Sequence, residues 1–252
     1  MTILCYHSVD PAWESPLALR PAEFEAHCRW LARHRSVVPL ADAVTRLDRS
    51  GRLPRGLAAM TFDDGFSGVL EHALPVIRRY QLPVTVFLVA QTLTDEGLSA
   101  HWVRTPPPWS ITTLTRDQVL ELQALGVDFQ SHSWAHLDLP GLGYDACVDD
   151  LRRSRDLLEE LLGDSVTHLA YPRGLHDEQV RRAAQKAGYS HAYSLPEATE
   201  RPGPYAVPRV GINRGNRVAT LAIKSARPYL PTRHGPVGAA ARRASRLLRR
   251  GR

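Results

Sequence analysis

Two short motifs in this 252-residue chain carry side chains able to do hydrolytic chemistry. Thr61-Phe62-Asp63-Asp64-Gly65 sets two adjacent carboxylates before a glycine. Such a pair can divide its work: one carboxylate ligates a metal while the other takes a proton from water. Asp-Asp-Gly is equally the composition of a tight turn or helix cap. His132-Ser133-Trp134-Ala135-His136 spaces two histidines at i and i+4, so that they can meet at one ion on a helix turn or in a folded loop. Surface or helix-capping histidines satisfy the same spacing. Each motif alone reads both ways. Together they supply Asp and two His, the donor set of a hydrolytic metal site that keeps one position open for water.

The elements around the motifs decide whether they can meet. Residues 56–62 form a continuous apolar run, as in a strand buried on both faces of a parallel sheet. Residues 127–130 read as a strand leading into Ser131-His132, and residues 84–89 are rich in β-branched types. Residues 3–6 end at His7, residues 167–171 end at Pro172-Arg173-Gly174, and residues 191–194 and 206–210 complete the strands. Helical segments alternate with them. Pro21 opens one, with Phe24, Cys28 and Leu31 at helical spacing. Others cover 41–47, 68–80 with Pro75 as an irregularity, 115–125 with Thr115 and Gln118 as a capping box, 144–162 closed by Gly163, and 178–187 closed by Gly188. Residues 91–113 form a long irregular insertion holding His101, Trp102, three consecutive prolines and Trp109. Strand–helix alternation repeated about seven times predicts an α/β fold with parallel strands, open or closed into a barrel. In such folds the C-terminal strand ends share one rim, where sites form. His7, Asp63, Asp64, His132 and Arg173 all follow strands, so one site is expected to gather them.

With these motifs the chain resembles the polysaccharide deacetylases, which share a NodB-type catalytic domain. Residues 61–65 look like the first motif of that family, Ser131 to His136 like the second, and Ala170-Tyr171-Pro172-Arg173-Gly174 like the third. Leu4-Cys5-Tyr6-His7-Ser8-Val9 is similar to the opening of one branch, which includes biofilm-polysaccharide deacetylases. The resemblance covers about residues 3–215 and implies an irregular (β/α) barrel of about seven repeats, here taken as residues 1–225, with a basic tail at 226–252. It implies removal of the N-acetyl group from an N-acetylhexosamine in a glycan, glycolipid or small glycoside. A non-sugar amide or imide hydrolase and a catalytically impaired glycan-binding protein are the alternatives. It further implies one divalent ion on Asp64, His132 and His136, zinc first, with nickel, cobalt or iron(II) as substitutes. Asp63 would be the general base, and a backbone N–H at Arg173 would help hold the oxyanion.

The chain departs from the family pattern twice. Arg173 stands where tyrosine is usual, and Ala170 stands where many members carry an arginine that orients the base. Arg209, after a late strand, is the candidate substitute, with an ordinary surface ion pair as the alternative. The usual C-terminal general-acid histidine has no evident match, since the late histidines are His191 and His234. His7 should reach the rim and is expected to act as the acid, across the ion from Asp63. Arg173, Tyr171, Trp134 and Trp109 are expected to contact the sugar, with Trp102 as a further aromatic wall; ordinary loop packing competes for each tryptophan.

Composition bounds the partners. The formal charge is +6, yet residues 1–200 hold all 26 acids against 19 Lys and Arg, while residues 201–252 hold 13 Lys and Arg and no acid. The basic character belongs to the tail, which argues against a nucleic-acid groove across the fold. Cys5, Cys28 and Cys147 are odd in number and widely spaced, so reduced, buried thiols are expected. Met1-Thr2 runs directly into an apolar strand with no basic region before it, which reads as a cytoplasmic protein. Residues 239–252 alternate Ala and Leu with Arg, as in a basic amphipathic helix at the inner membrane face or a solvated end. Deleting residues 235–252 is expected to leave the turnover of a soluble substrate unchanged. Loss of fold or of bound metal in that truncation would show that the tail packs on the barrel.

Overall fold

The computed structural model describes residues 2–50, 55–95, 97, 100–103, 112–196, 202–226 and 229–235. Its strands are β1 (Thr2–Tyr6), β2 (Ser8–Val9), β3 (Ala18–Leu19), β4 (Ser36–Val37), β5 (Leu57–Phe62), β6 (Val84–Leu88), β7 (Asp128–Ser131), β8 (His168–Ala170), β9 (His191–Ser194) and β10 (Val207–Gly211). The helices are α1 (Pro21–His34), α2 (Leu40–Ser50), α3 (Leu74–Tyr80), α4 (Arg116–Ala124), α5 (Tyr144–Leu162), α6 (Glu178–Lys186), α7 (Val218–Lys224) and α8 (Tyr229–His234).

The sheet runs β1-β10-β9-β8-β7-β6-β5, and β5 pairs again with β1. Seven parallel strands therefore close into a barrel, which settles the choice between an open and a closed sheet. The closing pair is long, from Thr2↔Ala58 to Tyr6↔Phe62. On the other edge of β5, β4 pairs with Leu57 and Ala58 below β6, which takes Met60 to Phe62.

Alternation along the strands separates two layers. Leu4, Tyr6, Met60, Phe62, Val84, Val86, Leu88, Leu169, Ala192 and Val210 pack outward into the main core with helix residues such as Phe24, Leu31, Val119, Leu151 and Val180. Ile3, Ala59, Phe87, Ala170, Tyr193 and Val207 form a second cluster with Leu40, Ala43 and Val44 of α2. The same alternation puts Cys5, Thr61 and Arg209 with this second set. A barrel of seven strands thus encloses polar groups that the strand pattern alone assigns to neither face.

The helix signals hold in detail. Thr115 Oγ1 accepts from the Gln118 amide at 3.3 Å, and the Gln118 side chain accepts from the Thr115 amide at 3.0 Å. Gly163 ends α5 in the left-handed region at φ 63°. The segment expected as one helix over 68–80 is instead a π-turn at Val69–Ala73 followed by α3, with Pro75 in the first turn of α3. Proline lacks only an amide that a first turn leaves unpaired, so it opens this helix rather than breaking it. Of the segment assigned to the tail, Tyr229 and Leu230 of α8 pack against the main core, and residues 236–252 lie outside the described residues. Among the described residues, no helix is long and apolar enough to cross a membrane.

The turn after β8 closely approaches its neighbour's backbone. Gly174 sits at φ 73°, and a Cβ there would lie 2.4 Å from the Leu195 amide nitrogen. Gly163, at φ 63°, has nothing within 4 Å of the same position. Gly163→Ala should therefore lose only the left-handed preference, about 1 kcal/mol. Gly174→Ala adds a backbone clash and should lose about 1–3 kcal/mol more. Thermal unfolding of both variants tests this, and equal losses would refute the close approach.

Candidate active site

The first motif leaves β5 at the C-terminal end of the barrel. The Asp63 amide donates to the Tyr6 carbonyl at 3.0 Å, so the turn stays registered to β1. The Asp63 carboxylate is buried and takes a two-pronged pair from Arg209: NH1 to Oδ1 at 2.6 Å and NH2 to Oδ2 at 2.7 Å. Arg209 NH1 also donates to Thr61 Oγ1 at 3.1 Å, and the guanidinium lies over the Phe87 ring at 5.2 Å. Cys5 Sγ donates to Asp63 Oδ2 at 3.3 Å. Burial alone would push the Asp63 carboxyl up, but the Arg209 guanidinium holds it well below the usual carboxylate range. Asp63 is therefore ionised at any working pH.

Asp64, His132 and His136 form the second group. Their ligating atoms all lie within 4.8 Å of one another. Asp64 Oδ1 is 3.6 Å from His132 Nε2 and 3.3 Å from His136 Nε2. His132 Nδ1 donates to the Ala170 carbonyl at 2.8 Å. A carbonyl can only accept, so Nδ1 carries the proton and Nε2 turns a lone pair to the site. Burial lowers both imidazoles, His136 to about 2 with further push from His132, so both are neutral. Asp64 Oδ1 is buried with no hydrogen-bond partner. Burial, then the neighbouring Asp63 carboxylate, pushes the Asp64 carboxyl up. A carboxyl and two neutral imidazoles whose ligating atoms converge fit a cation, which would hold Asp64 as a carboxylate. The residues present fit a divalent metal with an open position.

Backbone strain places these three side chains. Of the five non-glycine residues with positive φ among the described residues, four stand here: Asp64 at 70°, Ser133 at 68°, His136 at 55° and Arg173 at 55°. Such conformations persist only where the surroundings over-determine them. Ser133 Oγ accepts from the His136 amide at 3.1 Å, Ser131 Oγ accepts from the Ser133 amide at 3.2 Å, and buried Asp150 of α5 accepts from the Trp134 amide at 3.0 Å. The two histidines meet through a folded loop, not a helix turn.

His7, Arg173 and Arg209 line one cavity of about 650 Å³ with Asp63, Asp64, His132 and His136. A His7 nitrogen lies within 4.8 Å of Asp63 and Cys5, beside the Asp63 carboxylate and closer than the expected position across the ion. Burial lowers His7 to about 4, and its Nδ1 is buried with no partner. Arg173 pairs with Asp138 at the mouth.

Two expected substrate contacts are corrected. Tyr171 is fully buried, and its hydroxyl donates to the Tyr205 carbonyl at 3.1 Å. Trp134 lies under Arg153 of α5 at 4.1 Å and packs on the core. Neither lines the cavity, because each points along the outside of the barrel wall. Trp109 lies outside the described residues. Trp102 does line the cavity and stacks on His136 at 4.8 Å between ring centroids. Sequence reasoning missed the Cys5–Asp63 contact, the Asp150 brace, and Lys224 and Arg233 in the cavity wall. Only Cys5 had a signal, its place two residues before His7 on the same strand face. All three cysteines are buried and free, as expected.

The comparisons with known proteins agree with this geometry. YxkH of Bacillus subtilis, provisionally named a polysaccharide deacetylase, is 28% identical over 219 residues, 85% of this chain and 72% of its own length. A poly-β-1,6-N-acetyl-D-glucosamine N-deacetylase of Staphylococcus aureus is 22% identical over 206 residues, 76% of this chain and 67% of its own. In fold, the chain is similar to the Streptococcus pyogenes deacetylase PplD solved with acetate, with a TM-score of 0.76 at 22% identity, covering 89% of this chain and 97% of that one. IcaB from Ammonifex degensii gives 0.75 at 24% identity, covering 89% and 96%. The family profile described as polysaccharide deacetylase matches residues 50–192, more than half of the chain and both carboxylate–histidine motifs, so the chain belongs to the polysaccharide deacetylase family of hydrolases.

Proposed function

We propose that this enzyme is a metal-dependent N-deacetylase acting on an N-acetylhexosamine in a glycan, glycolipid or small glycoside. The observation that carries the proposal is the convergence of three buried donors, Asp64, His132 and His136, beside a carboxylate clamped by Arg209. Zinc suits one carboxylate and two imidazoles, and nickel, cobalt or iron(II) suit them too. When bound, such an ion supplies Lewis acidity to an amide carbonyl and makes water more acidic.

The chain's own residues do the rest. Asp63 accepts a proton from the attacking water, with Arg209 fixing the plane of its carboxylate. Arg209 also weakens Asp63 as a base, so the accepted proton is readily passed on. His7 stands next to Asp63 and is neutral at rest, since burial lowers it to about 4. It becomes an acid by taking that proton, which it then delivers to the leaving amine. Trp102 offers an aromatic face to a pyranose, and a backbone N–H at Arg173, which lines the cavity, would help hold an oxyanion.

Acetate release from N-acetylated glycosides tests the activity. Chelation should abolish it, and one equivalent of a divalent ion per chain should restore it. Asp63→Asn should keep the ion and lose about 10²–10⁴-fold in turnover. Near wild-type turnover in that variant would place the base elsewhere. His7→Ala should lower turnover far more than it weakens metal affinity. A fully active His7→Ala, beside an inactive His191 or His234 variant, would move the acid to the C-terminal part of the chain.

A further inference from the structure

Ligands of a metal site must be held as well as supplied. An imidazole that ligates through one nitrogen normally donates its other N–H to a carboxylate, a carbonyl or water, and a ligating carboxylate normally accepts a hydrogen bond of its own. His132 follows this rule through Nδ1 and the Ala170 carbonyl at 2.8 Å. His136 does not. Its Nε2 lies 3.3 Å from Asp64 Oδ1, and its Nδ1 is buried with no hydrogen-bond partner among the described residues. Asp64 Oδ1 is buried with none either. Two of the three candidate ligands therefore lack the ordinary support.

Trp102 stands against both of them. It is 8% exposed and lines the cavity. Its indole stacks on the His136 ring, with 4.8 Å between centroids and 20° between planes. Its N–H faces the Asp64 carboxyl and favours the ionised form, yet it is buried without a full hydrogen bond. The turn that carries Trp102 has an anchor of its own. The Val103 amide donates to the Ala100 carbonyl at 3.1 Å, and Ala100 and Val103 pack on Trp13, Ala18 and Phe66. Trp13 meets Phe66 edge to face at 5.1 Å, and Phe66 follows Asp64-Gly65 in the chain. One apolar cluster thus sets the indole and the carboxylate loop relative to each other.

A stacked ring fixes the plane of an imidazole without competing for its nitrogens. An indole N–H can only donate, so it can answer a carboxylate oxygen and cannot displace a cation's ligand. We propose that Trp102 is a positioning residue of the metal site: its ring face holds His136 in plane, and its N–H steadies the Asp64 carboxylate. The inference rests on the metal reading above.

The test is made on the full chain with metal alone, so that turnover plays no part. Zinc affinity is measured by competition with a chromophoric chelator. Trp102→Phe keeps a ring for the stack and removes the N–H; it should bind zinc about tenfold more weakly. Trp102→Leu removes both and should lose up to about 100-fold. Cobalt(II) should quench part of the tryptophan emission. That part should survive Trp134→Phe and vanish in Trp102→Phe. Wild-type zinc affinity in Trp102→Phe, or quenching that persists in it, overturns the inference. So does a Trp102→Phe chain whose metal-free unfolding temperature falls while its zinc affinity stays, since that marks a purely structural tryptophan. The wild-type emission needs no variant to fold: if bound cobalt leaves it unchanged, the indole is not beside the ion and the inference fails. A wild-type chain that binds neither ion overturns the metal reading itself.

Discussion

The buried pair between Arg209 and Asp63 is the interaction on which the rest of the site depends. A guanidinium and a carboxylate, each almost wholly removed from water, are tolerable only when their hydrogen bonds are well matched. Here two short parallel bonds, a third to Thr61 and the Phe87 face below supply that match. The pair also spans the place where the barrel closes. Asp63 follows β5, Arg209 lies on β10, and β1 runs between them with Cys5 facing the carboxylate. Removing one partner would strand the other charge, a loss of about 3–5 kcal/mol, so the same contact serves the fold and the chemistry.

That arrangement has a chemical consequence. A carboxylate clamped by arginine stays ionised and fixed, which a base needs, but its proton affinity falls. Its neighbour His7, lowered by burial to about 4, is a place for the proton to go next. Both groups are displaced from their ordinary values in a dry site. On the other side, Asp64 is pushed the opposite way by burial and by Asp63. Two adjacent residues of one motif thus receive opposite electrostatic environments, and the division of labour follows from them.

The site residues are held by strain as well as by bonds. Left-handed backbone at Asp64, Ser133, His136 and Arg173 turns three separate rim loops inward, where ordinary strand-to-helix turns would let these side chains face solvent. Ser131, Ser133 and Asp150 secure the histidine loop from behind, and α5 supplies the last of them from the barrel's outer layer. Stability spent on these turns is offset by a closed seven-stranded barrel whose strands are buried on both faces.

The amino-acid sequence by itself determined the alternation of strands and helices, the caps at Thr115 and Gly163, and the placing of His7, Asp63, Asp64, His132 and Arg173 on one rim. These follow from local periodicity and from the rule that parallel α/β strands end on one side. It also offered Arg209 as the orienting arginine, without deciding between that role and a surface pair. Tertiary structure decided what local pattern leaves open. Arg209 meets its partner across 146 residues of chain, and only barrel closure turns it inward. Tyr171 and Trp134 lie next to motif residues in sequence but point along the outer wall, because neighbouring strand and loop residues face opposite ways. Lys224 and Arg233 gave no local sign of sharing a cavity with the motifs, since nothing in their own segments marks that they face it. Which charged side chains line the cavity is a property of the closed barrel and of α7 and α8 folded against it.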